Sequence, residues 1–92
     1  MRVAARVIQG KIMNEQVQDV YVEGMARGRQ LPPPAVARRL RIAGRLTQRE
    51  LAATIGVHRV SLARWEAGRV APRGATAARY GAALAAILRG LT

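Results

Sequence analysis

Cysteine and phenylalanine are missing from this 92-residue chain, which holds one histidine, one lysine and only three aromatic side chains, Tyr21, Trp65 and Tyr80. Without cysteine there is neither a disulfide framework nor a thiolate metal site, and one imidazole does not build a metal site alone, so no metal is expected; a reducing compartment is compatible with this usage. So few aromatics exclude the stacking platform on which common single-strand RNA modules hold their bases. No apolar run approaches the ~20 residues needed to span a bilayer, and no basic start leads through a long apolar stretch to a small-residue cleavage site. A soluble, cytoplasmic protein with no membrane partner is therefore expected. Nucleophile–base pairs and glycine-rich phosphate loops are also lacking, which argues against an enzyme and against a bound cofactor. The length suits one small domain with a modest core and a short appended segment, leaving no room for a large catalytic cleft.

Negative charge is scarce as well: sixteen basic residues face five acidic ones, for a net charge of +11. The imbalance is local. Up to Ala26, Arg2, Arg6 and Lys11 are offset by Glu15, Asp19 and Glu23, whereas from Arg27 onward thirteen arginines face only Glu50 and Glu66, so the whole excess lies in the later part of the chain. That is where a polyanion would bind. The preference for arginine over lysine, together with abundant alanine and glycine, also reflects GC-rich coding, which tempers any reading of the charge by itself.

Within the basic part, Leu46-Thr47-Gln48-Arg49-Glu50-Leu51-Ala52-Ala53-Thr54-Ile55-Gly56-Val57-His58-Arg59-Val60-Ser61-Leu62-Ala63-Arg64-Trp65-Glu66 reads as two short helices joined by a tight turn. Thr47 and Glu50 have the spacing of a capping box. Gln48, Leu51, Ala52 and Ile55 then fall on one inward face, with Arg49, Ala53 and Thr54 pointing out. Gly56 ends that helix, because glycine enters the left-handed conformation at little cost. The second helix runs from about His58 or Arg59 to Ala67, with Ser61, Leu62 and Trp65 inward. Arg59, Val60, Ala63, Arg64 and Ala67 share the opposite arc, which lacks bulky apolar groups. Such an arc suits the major groove, where arginine bonds bidentately to guanine O6 and N7 and small apolar groups meet thymine methyls. Surface arginines are ordinarily just solvated; the tight turn before these two is what favours base reading.

These motifs, with Arg64-Trp65-Glu66-x-Gly68-x-x-x-Pro72, make the chain resemble the Cro/phage-repressor (Xre-type) helix-turn-helix family from about Pro34 to Leu88. The resemblance implies an all-α, compact five- or six-helix, lambda-repressor-like domain. It also implies that Arg59, Val60 and Arg64 meet base edges, with Ala63 on the same arc. Gln48 would open its helix beside a phosphate, and Arg69 and Arg73 would touch phosphate from the following loop. Arg41 and Glu66 would form a structural ion pair. Three departures stand out. Gly44 lies one residue earlier than the family's usual glycine and Arg45 follows it, so the first loop is expected to turn differently. His58 replaces a small hydroxyl residue at the start of the second helix, from where it can reach a phosphate. The last helix is rich in alanine, so thin packing is expected there.

Elsewhere, Pro32, Pro33 and Pro34 make a stiff break. A helix from Pro34 to Ala43 should turn Val36, Leu40 and Ala43 inward, with Arg38, Arg39 and Arg45 left to solvent or phosphate. A closing helix is expected from Ala75 to Arg89, with Tyr80, Leu84, Ile87 and Leu88 inward and Gly90 ending it. The domain division is thus an N-terminal helical extension over 1–31 and a helix-turn-helix domain over 34–92. In the extension Met13, Val17, Val20, Tyr21 and Gly24 line one side of a helix, and Glu15, Asp19 and Glu23 form a stripe opposite. Like charges at that spacing weaken a lone helix. The segment is therefore expected to pack on its own domain, or else to form a dimer or protein-partner interface; a metal role for three carboxylates on one exposed face is the weakest reading. Residues 1–13 suit helix or strand, with Gly10 interrupting either.

Taken with the resemblance, the expected function is sequence-specific binding of double-stranded DNA by a transcriptional regulator. A phage, prophage or bacterial Xre-type repressor is the leading form, acting as a homodimer in a bacterial nucleoid or phage host. The alternative is the antitoxin of a toxin–antitoxin pair, with the N-terminal segment neutralising the toxin and the helix-turn-helix regulating its own synthesis.

Overall fold

Residues 24–26 and 30–91 are described in the computed structural model; residues 1–13, the apolar stripe from Met13 to Tyr21 and the acidic stripe of Glu15, Asp19 and Glu23 lie outside them. Four helices follow one another: α1 (Pro34–Ala43), α2 (Gln48–Ile55), α3 (Arg59–Glu66) and α4 (Gly74–Leu91). A helical segment at 24–26 precedes them, and no strand occurs among the described residues. The fold is all-α and lambda-repressor-like. Helix α2 packs against α3, α4 lies across both α1 and α2, and α1 reaches α3.

The core follows from the apolar spacing of α2 to α4. Leu51, Ala52 and Ile55 from α2, Leu62 and Trp65 from α3, and Tyr80, Leu84 and Ala85 from α4 are all buried. Trp65 and Tyr80 stack with ring centroids 5.0 Å apart, a tilted aromatic contact. Ala52 is buried where α2 and α3 meet, as its size requires. Ile87 and Leu88 are half-buried against this cluster.

Two expectations for α1 are corrected. Val36 and Ala43 are exposed, and the buried positions of the helix are Ala37 and Arg41, with Leu40 half-buried. The inward stripe is thus rotated by one residue, because α1 must deliver Arg41 to a carboxylate in the interior. The expected end of the last helix is corrected too: α4 begins at Gly74 and continues through Gly90 to Leu91. One glycine costs a helix only about 1 kcal/mol, too little to stop it without a competing turn.

The core also begins earlier than the prolines. Met25 is fully buried, and Ala26 and Leu31 pack against the same cluster. The small residues of α4 make this possible: at Gly81 an added Cβ would overlap the carbonyl oxygen of Met25. What reads in the sequence as thin packing is a close backbone approach.

Each of the three helix ends at α1, α2 and α3 closes with the same pair of backbone bonds. At α2, Val57 N–H donates to Ala52 O (3.0 Å) and Gly56 N–H to Ala53 O (3.2 Å); at α3, Arg69 N–H donates to Arg64 O (3.0 Å) and Gly68 N–H to Trp65 O (3.1 Å). At α1, Leu46 N–H donates to Arg41 O (3.1 Å) and Arg45 N–H to Ile42 O (2.9 Å). This Schellman arrangement requires a left-handed residue just past the helix.

Candidate nucleic-acid interface

The turn between α2 and α3 is built by capping at both of its edges. Thr47 Oγ1 accepts from Glu50 N–H (3.0 Å) while Glu50 Oε1 accepts from Thr47 N–H (2.9 Å), completing the capping box that starts α2. The bonds from Thr47, its backbone N–H foremost, hold the Glu50 carboxyl below the usual glutamate range. Gly56 then takes a φ of 84° and reverses the chain. Helix α3 opens on His58, whose Nδ1 accepts from Val60 N–H at 3.1 Å. The imidazole does the work of the hydroxyl it replaces, a role not anticipated from the sequence. With Nδ1 accepting, the ring carries its proton on Nε2, which is left to donate outward.

Leu62 and Trp65 anchor α3 in the core and so fix which arc faces solvent. On that arc Arg59, Val60 and Arg64 are exposed and Ala63 is half-buried. Arg69 and Arg73 are exposed in the loop that follows. Arg64 makes no side-chain hydrogen bond or ion pair among the described residues, whereas Arg59 is held in place.

What holds Arg59 is a chain of polar contacts that starts in the interior. Arg41 and Glu66 are joined bidentately, Nε to Oε2 at 2.6 Å and Nη2 to Oε1 at 3.0 Å, with side chains 10% and 2% exposed. The remaining Arg41 Nη1 donates to Leu46 O at 2.9 Å, tying the pair to the loop before α2. Gln48 Nε2 donates to Glu66 Oε1 at 3.1 Å. Because a carboxylate only accepts, it fixes the amide orientation of Gln48 and turns Oε1 the other way. There Oε1 accepts from Arg59 Nη1 at 3.2 Å. Gln48, expected from resemblance only beside a phosphate, thus links the buried pair to the first residue of the exposed arc and keeps one amide N–H to spare. Spacing alone did not reveal this link, since the partners are 11 and 18 residues away from Gln48.

The family comparison agrees with this geometry: a helix-turn-helix family model matches residues 38–87, more than half of the chain. The chain belongs to the Cro/phage-repressor (Xre-type) helix-turn-helix family. No curated protein and no solved structure matched it. It is a DNA-binding helix-turn-helix protein, and the family is one of regulators.

Two features of α4 complete the surroundings of this helix-turn-helix: a bond from Arg79 that was not evident in the sequence, and Tyr80, which is inward as expected. Arg79 Nε of α4 donates to Ile55 O at 2.9 Å, securing the carbonyl end of α2 just before the turn. Tyr80 lies beneath Trp65 with its hydroxyl buried and without a hydrogen-bond partner among the described residues. Burial, and secondarily the Glu66 carboxylate, push its pKa up to about 12. No three His, Cys, Asp or Glu side chains group as a metal site among the described residues, and none of the described helices is long and apolar enough to cross a membrane.

Proposed function

We propose that this protein is a sequence-specific transcriptional regulator, most plainly a repressor of the phage, prophage or bacterial Xre type, that inserts α3 into the major groove of duplex DNA. Arg59 and Arg64 bond to base edges, and Val60 and Ala63 meet thymine methyls between them. Gln48, through its spare amide N–H, and His58, through Nε2, approach phosphates on one side of the groove; Arg69 and Arg73 do so from the loop on the other. The observation that carries this reading is the α3 arc itself, exposed and basic on one side while Leu62 and Trp65 lock the other side into the core. A buried ion pair and an amide then steady Arg59 before any DNA arrives, which lowers the ordering cost of binding.

A helix as short as α3 covers only a few base pairs. Specific binding at regulatory affinity therefore calls for two copies on half-sites about 34 Å apart. Regulation follows by mass action: a dimer seated over a promoter excludes polymerase.

Selection of bound duplexes from a random DNA pool tests the proposal. The expected product is an inverted pair of short half-sites, each with guanine at the positions faced by Arg59 or Arg64 and with centres about one helical turn apart. Recovery of unenriched sequence would reject specific readout, and a single unrepeated site would reject the dimer.

A further inference from the structure

Arg45 occupies a backbone conformation that, elsewhere among the described residues, only glycine takes. At the ends of α2 and α3 the left-handed position is filled by Gly56 (φ 84°) and Gly68 (φ 72°); at the equivalent position after α1 stands Arg45, at φ 59° and the one non-glycine residue with positive φ among those described. A residue with a Cβ is disfavoured there by roughly 1 kcal/mol relative to glycine. The neighbouring Gly44 does not relieve it. Gly44 has an ordinary φ of −76°, and its lack of a side chain serves packing, since an added Cβ would lie 2.9 Å from Ile87 Cγ2. Two adjacent positions thus favour glycine for different reasons, and only the packing position has it.

The side chain at this strained position contributes nothing to the fold. Arg45 is exposed and forms no side-chain hydrogen bond or ion pair among the described residues. Its location is informative. Arg45 directly precedes Leu46, whose carbonyl is held by Arg41, and stands three residues before Gln48, which bonds Arg59 at 3.2 Å. The strained cation therefore sits at the entrance to α2, beside the end of the polar chain that steadies the DNA-facing arc.

We infer that Arg45 is an additional phosphate-contacting residue, held in a left-handed loop conformation at a cost in stability because glycine there would remove the cation from the DNA backbone. This rests on the DNA-binding reading and adds a contact outside the helix-turn-helix proper. Such a contact strengthens binding to every sequence alike and leaves base preference untouched.

The test compares the parent protein with Arg45→Gly and Arg45→Lys, by thermal melting and by titration onto a selected duplex and an unrelated duplex across a salt series. Arg45→Gly should melt higher than the parent. It should also bind both duplexes roughly fivefold more weakly per chain near physiological salt, with the log–log salt slope reduced by about 0.9 per chain. Arg45→Lys should retain the parent slope without the gain in melting temperature. An Arg45→Gly protein that binds both duplexes with parental affinity and slope overturns the inference while leaving the DNA-binding reading intact. A parent protein with no salt-dependent duplex binding overturns that reading itself, and this inference with it.

Discussion

Replacing Glu66 by leucine would separate what the buried ion pair does for folding from what it does for DNA readout. The carboxylate is almost wholly enclosed and bonds Arg41 through two contacts of 2.6 and 3.0 Å, so its removal leaves a guanidinium buried without a counter-charge. Breaking such a pair from one side costs about 3–5 kcal/mol. The Gln48 amide also loses its acceptor, adding about 1 kcal/mol. Against the roughly 5–15 kcal/mol of a whole small domain this is a severe loss, and at about 4–8 °C per kcal/mol the melting temperature should fall by more than about 15 °C. Arg41→Met combined with Glu66→Leu removes both charges and should recover most of that loss, short only of the Arg41 bond to Leu46 O. The recovered fold would still lack the acceptor that orients Gln48. Its preference at the base read by Arg59 should therefore relax while preference at the Arg64 position persists. Melting curves and selected-site profiles on the three proteins provide the assay. A single mutant within about 1 kcal/mol of the parent would refute the uncompensated-charge argument, and a double mutant with an unchanged site profile would refute the role given to Gln48.

Tyr80→Phe removes a buried hydroxyl without a partner and should leave stability unchanged or raise it by up to about 1 kcal/mol in denaturant melts. Because the folded-state pKa of Tyr80 is raised to about 12 from an ordinary 10.0, the parent should keep that group's full contribution below pH 10 and lose about 2–3 kcal/mol as pH rises from there through 12, a loss the phenylalanine variant should not share. His58→Ala should cost about 1 kcal/mol by deleting the cap on Val60 N–H, whereas His58→Ser should retain it; equal melting of both variants would contradict capping by the imidazole. Arg64→Ala should lose about 1–3 kcal/mol on the selected site and relax one base position, while Arg69→Ala should weaken all duplexes alike; identical losses on every sequence would remove Arg64 from the reading set.

Local rules carried far in this chain. The capping box at Thr47 and Glu50, the reversal at Gly56 and the apolar seam of Leu51, Ile55, Leu62 and Trp65 are each written within a few residues, so α2, the turn and α3 are legible together with the arc that faces outward. The limits of α1 were legible too, from its prolines. Its inward face was not, because hydrophobicity favoured Val36 while the structure buries Arg41, a choice dictated by a glutamate 25 residues away. The same distance effect hides Gln48's two partners, the Arg79 bond to α2 and the seating of Met25 over Gly81. Apolar periodicity also cannot distinguish an alanine-rich helix that packs poorly from one that admits a neighbouring backbone closely. The imidazole cap at His58 was obscured for a chemical reason: its acceptor nitrogen is easily overlooked beside the hydroxyls that usually fill that role.

The most direct test of the central claim is the affinity of the full chain for its selected duplex and for a scrambled one, measured across a series of salt concentrations. Arg45, Arg69 and Arg73 of two chains, neutralising about six phosphates between them, predict a log–log slope near −5 on the selected site, with much tighter binding there than on the scrambled duplex at every salt concentration. A flat salt response, or equal affinity for the two duplexes, would contradict the account of α3 as a basic, base-reading helix.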